Sequence, residues 1–256
     1  MSTELPDLAY WPPELSLHVL SNLNATDLCL ASCVWDELAK DDCLWHSLCY
    51  SQWGYLSCYF KPKPKNFSYH KLYLRLDEAS VTFNADCHLG INYFIKYGLL
   101  HDDPQEIARF LHKAKPLDRT QVRYYLESRP EILDSLINLH NFDNLSLANA
   151  LRKLFHIFET PDTANHYLHL MVEIFSKRFA QCNSNNWLFR NHTPETIYVL
   201  CFSLIMLSVD LSNPHIKNKM SKREFIRNVR GAIRVADDEL YGHLYDDIYL
   251  RGHIAK

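Results

Sequence analysis

The chain has 256 residues, a formal net charge of −3 and only six glycines. Gly54, Gly90, Gly98, Gly231, Gly242 and Gly252 never fall at the spacing of GxGxxG or GxxxxGK, and GxSxG is absent. Phosphate-cradling loops and the nucleophile elbow are therefore excluded. A nearly balanced charge gives no global pull toward nucleic acid or anionic membrane. Few glycines beside 47% apolar residues predict helices packed on helices.

The opening residues Met1 to Leu5 carry no basic stretch followed by an apolar one, so no signal peptide is read and a cytoplasmic location is expected. The longest apolar run, 197–209, is shorter than the ~18 residues of a membrane span and predicts a buried core helix. Five of eight cysteines lie before residue 59 without any CxxC. Cys29 and Cys33, four apart, read as thiols of a small helical core, with a zinc site as the alternative.

Residues 11–53 hold three apolar helical patterns. The first starts at Pro12-Pro13-Glu14 and carries Leu15, Val19, Leu20 and Leu23. The second follows Asn24 with Leu28, Ala31, Trp35 and Leu38, and the third is 42–53 with Leu44, Trp45, Leu48 and Cys49. So short a unit buries little surface alone, yet it is apolar on more than one face. It should have a partner.

Lys61-Pro62-Lys63-Pro64-Lys65 then reads as a stiff connector, or as a basic nucleic-acid or nuclear-targeting patch, and a helix is expected over 68–78. From Val81 onward capped helices follow one another. Asp103-Pro104 opens one, with Glu106 placed for a reciprocal cap; Asp118 and Pro130 open the next two. Leu147, Ala150, Leu151, Leu154, Phe155 and Phe158 keep an unbroken helical series. Thr160-Pro161, Thr193-Pro194 and the capping box Ser221 to Glu224 start three more.

Candidate metal chemistry is thin. His166, His169 and Glu173 share one helix face, as a solvated face or as ligands, but HExxH is absent. Asp237-Asp238-Glu239 suits a helix start. No metal and no cofactor are expected. Between Lys217 and Arg234 lie Lys219, Lys222, Arg223, Arg227 and Arg230 with Glu224 as the one acid, a basic stretch that steers an acidic protein or lipid headgroup, or is merely solvated.

Pro13-Glu14-Leu15, Leu20, Leu23, Asp27-Leu28, Ala31, Trp35, Leu38 and Leu44-Trp45 resemble an F-box, with Trp11 where the family usually has leucine. The resemblance implies docking on the Skp-type adaptor of a cullin–RING ubiquitin ligase through Pro13, Leu15, Leu20, Leu23, Leu28, Leu44 and Trp45. Further along, Phe83-Asn84, Gly90 to Tyr93, Gly98 to Leu100, Asp118 to Leu126, Leu139 to Phe142, Ala150 to Arg152, Gln181 to Asn183, Tyr198 to Leu200 and Ile205 to Pro214 resemble the Sec seven domain of Arf guanine-nucleotide exchange factors.

That second resemblance implies an Arf-family small GTPase as partner, gripped by Phe202, Met206, Leu207, Ser208, Asp210, Leu211, Asn213, Pro214 and Arg230. The family's glutamate, which expels GDP by repelling its phosphate and competing for Mg²⁺, falls here in Pro161-Asp162-Thr163-Ala164. Thr163 stands at its place, and a neutral hydroxyl exerts no such Coulomb force. Asp162 is adjacent, about 100° round the helix.

The fold expected is all-α: a small three-helix F-box over 5–58, a linker and connecting helix over 59–80, and a right-handed multi-helix Sec seven-type domain over 81–256. The function expected is a substrate-recognition subunit of the ligase that holds an Arf-family GTPase, with cullin as a further partner, no nucleic acid, and membrane reached only through Arf. The alternative is an active Arf exchange factor using Asp162 or another acid.

Overall fold

A computed structural model describes residues 7–114, 117–159, 166–186, 189, 192–233, 235 and 237–254. The described residues form helices, turns and loops without a strand. The chain divides into two compact units, Met1–Val122 and Arg123–Lys256. The divisions expected at residues 58 and 81 separate motifs in sequence, whereas the compact units divide at Val122.

The first unit opens with α1 (Pro13–Leu20), α2 (Ala25–Ala31), α3 (Asp36–Ala39) and α4 (Asp42–Trp53). Three helices were expected, and the second breaks in two. Trp35 leaves helical geometry at φ −122°, ψ 63°, and its indole N–H donates to Asp7 at 2.6 Å. Asn24 caps α2 by accepting from the Asp27 amide at 2.9 Å. Trp45 is 1% exposed, and its indole N–H donates to the Ala39 carbonyl at 2.7 Å, so a large apolar ring is buried without an orphaned donor. The thiols are not uniformly core: Cys49 and Cys58 are buried, Cys29 is half-buried, and Cys33 and Cys43 are exposed.

The partner demanded by this short unit lies partly in the same chain. The helix expected over 68–78 runs on to Ala85 as α5 (Tyr69–Ala85), seventeen residues capped by Ser68. Trp45 meets His70 and Tyr73 with ring centroids 4.4 and 5.2 Å apart, and Trp53 meets Tyr73 at 5.0 Å. The intervening connector is held down. Lys63 donates to the Cys58 carbonyl at 2.8 Å and sits over the rings of Tyr59, Phe67 and Tyr69 at 5.2, 4.7 and 5.9 Å.

A hairpin of α5 and α6 (Cys87–Lys96) follows. A Cβ on Gly90 would lie 2.3 Å from the Phe83 Cα, so only glycine lets these backbones approach so closely. In α7 (Pro104–Lys113), Asp103 accepts from the Glu106 amide, but no reciprocal cap forms. The Glu106 carboxylate instead meets His101 Nδ1 at 2.7 Å. Helix α8 (Arg119–Ser128) crosses the division between units, with Asp118 accepting from the Gln121 amide.

The second unit holds α9 (Pro130–Asn138), α10 (Leu147–Ile157), α11 (His166–Cys182), α12 (Pro194–Ser212), α13 (Lys222–Ala232) and α14 (Asp238–Arg251). Three of these starts have a side-chain cap ahead of them: Ser146 for α10, Thr193 with Pro194 for α12, and Asp237 for α14, while α9 opens on Pro130 without one. Ser221 and Glu224 form the complete capping box on α13. At the centre, Leu200, Cys201, Leu204 and Leu207 of α12 are fully buried against α11 and neighbouring helices.

Helix α12 is apolar enough by length and composition to cross a membrane, with a mean hydropathy of 1.6, yet only one side of it is buried. The buried core helix expected from the run 197–209 is thus buried along one side and open along the other. Met206 is 65% exposed and Val209 42%. That open side makes the site.

Candidate functional site

Tyr198, Phe202 and Met206 recur every fourth residue and lie in one stripe along α12. Opposite them α13 presents Phe225, Asn228 and Val229, and α11 presents His169. Between them runs a groove of about 410 Å³, also lined by the buried Leu207 and by Met220. His169 stacks on Phe202 with centroids 4.7 Å apart and planes at 21°, and its Nδ1 lies 2.9 Å from the Tyr198 hydroxyl. The wall is therefore ordered before any ligand arrives. No acidic or basic side chain lines it except the histidine. Such a groove takes an apolar segment rather than a charged small molecule.

The loop between α12 and α13 is fixed by polar groups. Asp210 accepts from the Met220 amide at 2.8 Å, Asn213 accepts from the His215 amide at 2.9 Å, and Lys219 donates to the Asp210 and Asn213 carbonyls. These bonds hold Met220 in the groove lining.

Of the residues expected to grip a GTPase, Phe202, Met206 and Leu207 come together in this groove. The others lie elsewhere. Ser208 is 1% exposed and accepts from the Ile254 amide at 2.9 Å, tying the chain after α14 onto α12. With Leu211 it lines a separate cavity of about 340 Å³. Asp210 and Asn213 are engaged in the loop, Pro214 is exposed, and Arg230 pairs with Asp238 at 2.5 Å. His169, Tyr198, Met220 and Asn228 were missed. The spacing of Tyr198, Phe202 and Met206 carried the signal, while His169 looked like part of a solvated face.

Thr163 and Asp162 lie outside the described residues. Among the described residues no group of three His, Cys, Asp or Glu side chains is placed to hold a metal ion. His169 bonds Tyr198 and Glu173 pairs with Lys177 at 2.7 Å, so both have partners within the fold.

A second uncovered surface belongs to the first unit. Leu15 and Val19 of α1 are 54% and 44% exposed, and Leu30 and Val34 are 65% and 71%. Pro13 is exposed as well. The other residues expected to touch an adaptor lie deeper: Leu20, Leu28, Leu44 and Trp45 are at most 5% exposed, and Leu23 is half-buried. They support the exposed side chains from beneath.

A Sec7 domain family model matches residues 73–251, and an F-box-like model matches residues 10–51. Human F-box only protein 8 is 51% identical over 249 residues, covering 97% of this chain and 78% of its own length. Human cytohesin-2 is 36% identical over 172 residues, 65% of this chain and 42% of that protein. Among solved structures, the Sec7p catalytic domain superposes with a TM-score of 0.57 at 31% identity, covering 68% of this chain and 96% of its own. A structure of ARF1-GDP bound to a Sec7 domain with brefeldin A gives 0.59 at 25% identity, covering 70% of this chain and 91% of its own. The α11–α13 groove lies within the matched Sec7 residues, and the Leu15 stripe within the F-box-like ones. The chain belongs to the Sec7 domain family and, with an F-box-like segment ahead of that domain, to the family of F-box only protein 8.

Proposed function

We propose that the chain is a substrate-recognition subunit of a cullin–RING ubiquitin ligase. Its F-box docks on the Skp-type adaptor, and its Sec7 domain holds an Arf-family small GTPase without efficient nucleotide exchange. The observation that carries the reading is the uncovered apolar groove between α12 and α13, walled by Phe202, Met206 and Val229, in a chain that also exposes Leu15 and Val19 within its F-box. A groove of this kind buries an apolar switch segment, and buried aromatic anchors dominate such binding. The absent carboxylate at Thr163 supports the second half, because a hydroxyl neither repels a β-phosphate nor competes for its Mg²⁺. No metal or cofactor enters. The location proposed is cytoplasmic, with membrane recruitment following the GTPase.

The test is capture of nucleotide-free, GDP-bound and GTP-bound Arf by the full chain, with release of labelled GDP measured in parallel. Binding without accelerated release supports the reading, and Thr163→Glu is then expected to raise release. Release as fast as an ordinary exchange factor, abolished by Asp162→Ala, would establish the exchange-factor alternative.

A further inference from the structure

We propose that one end of the second unit, where the 213–220 loop, the start of α13 and the end of α14 meet, docks directly on an anionic membrane surface. This goes beyond recruitment through a GTPase, and none of the residues substituted in its test lines the α11–α13 groove. On α14, Tyr249 is 66% exposed and Leu250 79%, although Tyr245 one turn earlier is buried and stacks on Tyr249 at 6.1 Å and 13°. A rigid helix end thus holds an aromatic and an aliphatic side chain out in water. Tyrosine and leucine in such a position suit the boundary between lipid headgroups and acyl chains.

The charge beside them is positive, because Lys217, Lys219, Lys222, Arg223 and Arg227 stand against Asp210, Glu224 and Asp246. Glu224 bonds the Ser221 amide and hydroxyl, Asp246 pairs with Lys222 at 2.5 Å, and the Asp210 carboxylate takes the Met220 amide. Lys217, Arg223 and Arg227 are exposed, and no carboxylate of the described residues lies within ion-pair distance of them. Arg223 and Arg227, four apart, share one stripe of α13. Lysine and arginine on flexible stems beside an anionic leaflet gain attraction without a fixed geometry.

The 340 Å³ cavity alongside supplies a place for a headgroup phosphate. Lys219, Ser212, Ser221 and Tyr249 line it, and Lys219 uses two of its three ammonium hydrogens on the Asp210 and Asn213 carbonyls. An acidic protein is the less suitable partner, because the exposed Tyr249 and Leu250 at the helix end suit a lipid boundary, which receives apolar side chains without a shaped pocket.

The experiment is co-sedimentation of the full chain with vesicles of phosphatidylcholine alone, or mixed with phosphatidylserine or a phosphoinositide, without any GTPase present. Binding is expected to anionic vesicles only and to weaken with salt. Lys217→Gln with Arg223→Gln and Arg227→Gln should reduce it roughly a hundredfold. Tyr249→Ser with Leu250→Ser should reduce it at unchanged net charge. All five positions are exposed, so unchanged circular dichroism and melting serve as the folding control. Equal binding to neutral and anionic vesicles, undiminished binding by the charge variant, or saturable binding to poly-glutamate with none to anionic vesicles would overturn the proposal. GTPase capture is a separate readout, so the two readings fail independently.

Discussion

The two uncovered apolar surfaces differ in shape, and the difference separates what each can recognise. The F-box surface exposes Leu15, Val19 and Leu30 on short helices and Val34 in the turn after them, while Leu20, Leu28 and Trp45 are buried. The Sec7 groove is concave, walled by three helices and ordered by the His169–Tyr198–Phe202 contacts. Projecting side chains serve as knobs that enter a partner. A preformed trough accepts the partner's knobs instead. One chain therefore carries both halves of the complementarity that apolar interfaces use.

The sharpest way to break the comparison is to confuse surface with support. Trp45→Ala removes a fully buried ring and is expected to cost about 3–5 kcal/mol of stability, measured by urea unfolding. Leu15→Ala is expected to stay within about 0.5 kcal/mol in the same assay. If both destabilised equally, Leu15 would belong to the core.

Binding variants probe the surfaces themselves. Met206→Glu places a carboxylate at the mouth of the groove and is expected to weaken Arf capture by about 2 kcal/mol or more, with unchanged melting. Leu15→Asp with Val19→Asp is expected to abolish co-purification with the Skp-type adaptor while leaving Arf capture intact. A variant that lost both partners would indicate unfolding rather than a lost surface.

The smallest expected effect concerns acid. Burial pushes the Glu106 carboxyl upward, but hydrogen bonds from Ser57 and His101 outweigh it and hold the group below the ordinary carboxylate value. A depressed value means the folded chain binds this proton less readily than the unfolded chain. The stabilisation is therefore present at neutral pH and is lost as pH falls below the ordinary carboxylate range. Glu106→Gln should flatten this acid limb, by about 1 kcal/mol or less for a partly exposed pair, in thermal melts across pH 3 to 7.

Much of the architecture was legible because local signals are strong in helical chains. Asp103-Pro104, Thr193-Pro194 and the Ser221 box marked three helix starts that the fold realises. The failures share a cause. Trp35 fits helical spacing, but its indole is drawn to Asp7, twenty-eight residues away. Glu106 fits a reciprocal cap, but its carboxylate is taken by His101 and by the distant Ser57. Long-range contacts leave no mark in periodicity. In the site, the stripe of Tyr198, Phe202 and Met206 could be read from spacing, whereas the role of Ser208 could not. Its partner is the Ile254 amide, a backbone group.

The alternating lysine and proline connector has a consequence for amine chemistry. Lys61 donates to the Gly98 carbonyl at 3.2 Å, and Lys63 donates to Cys58 among three aromatic rings. Lys65 is exposed. An ammonium bonded to a carbonyl and packed among rings, as that of Lys63 is, is shielded from an approaching electrophile. Of three lysines in five residues, the half-buried Lys63 is thus the least open to acylating reagents and to enzymes that attach groups to lysine, while Lys61 and Lys65 are exposed.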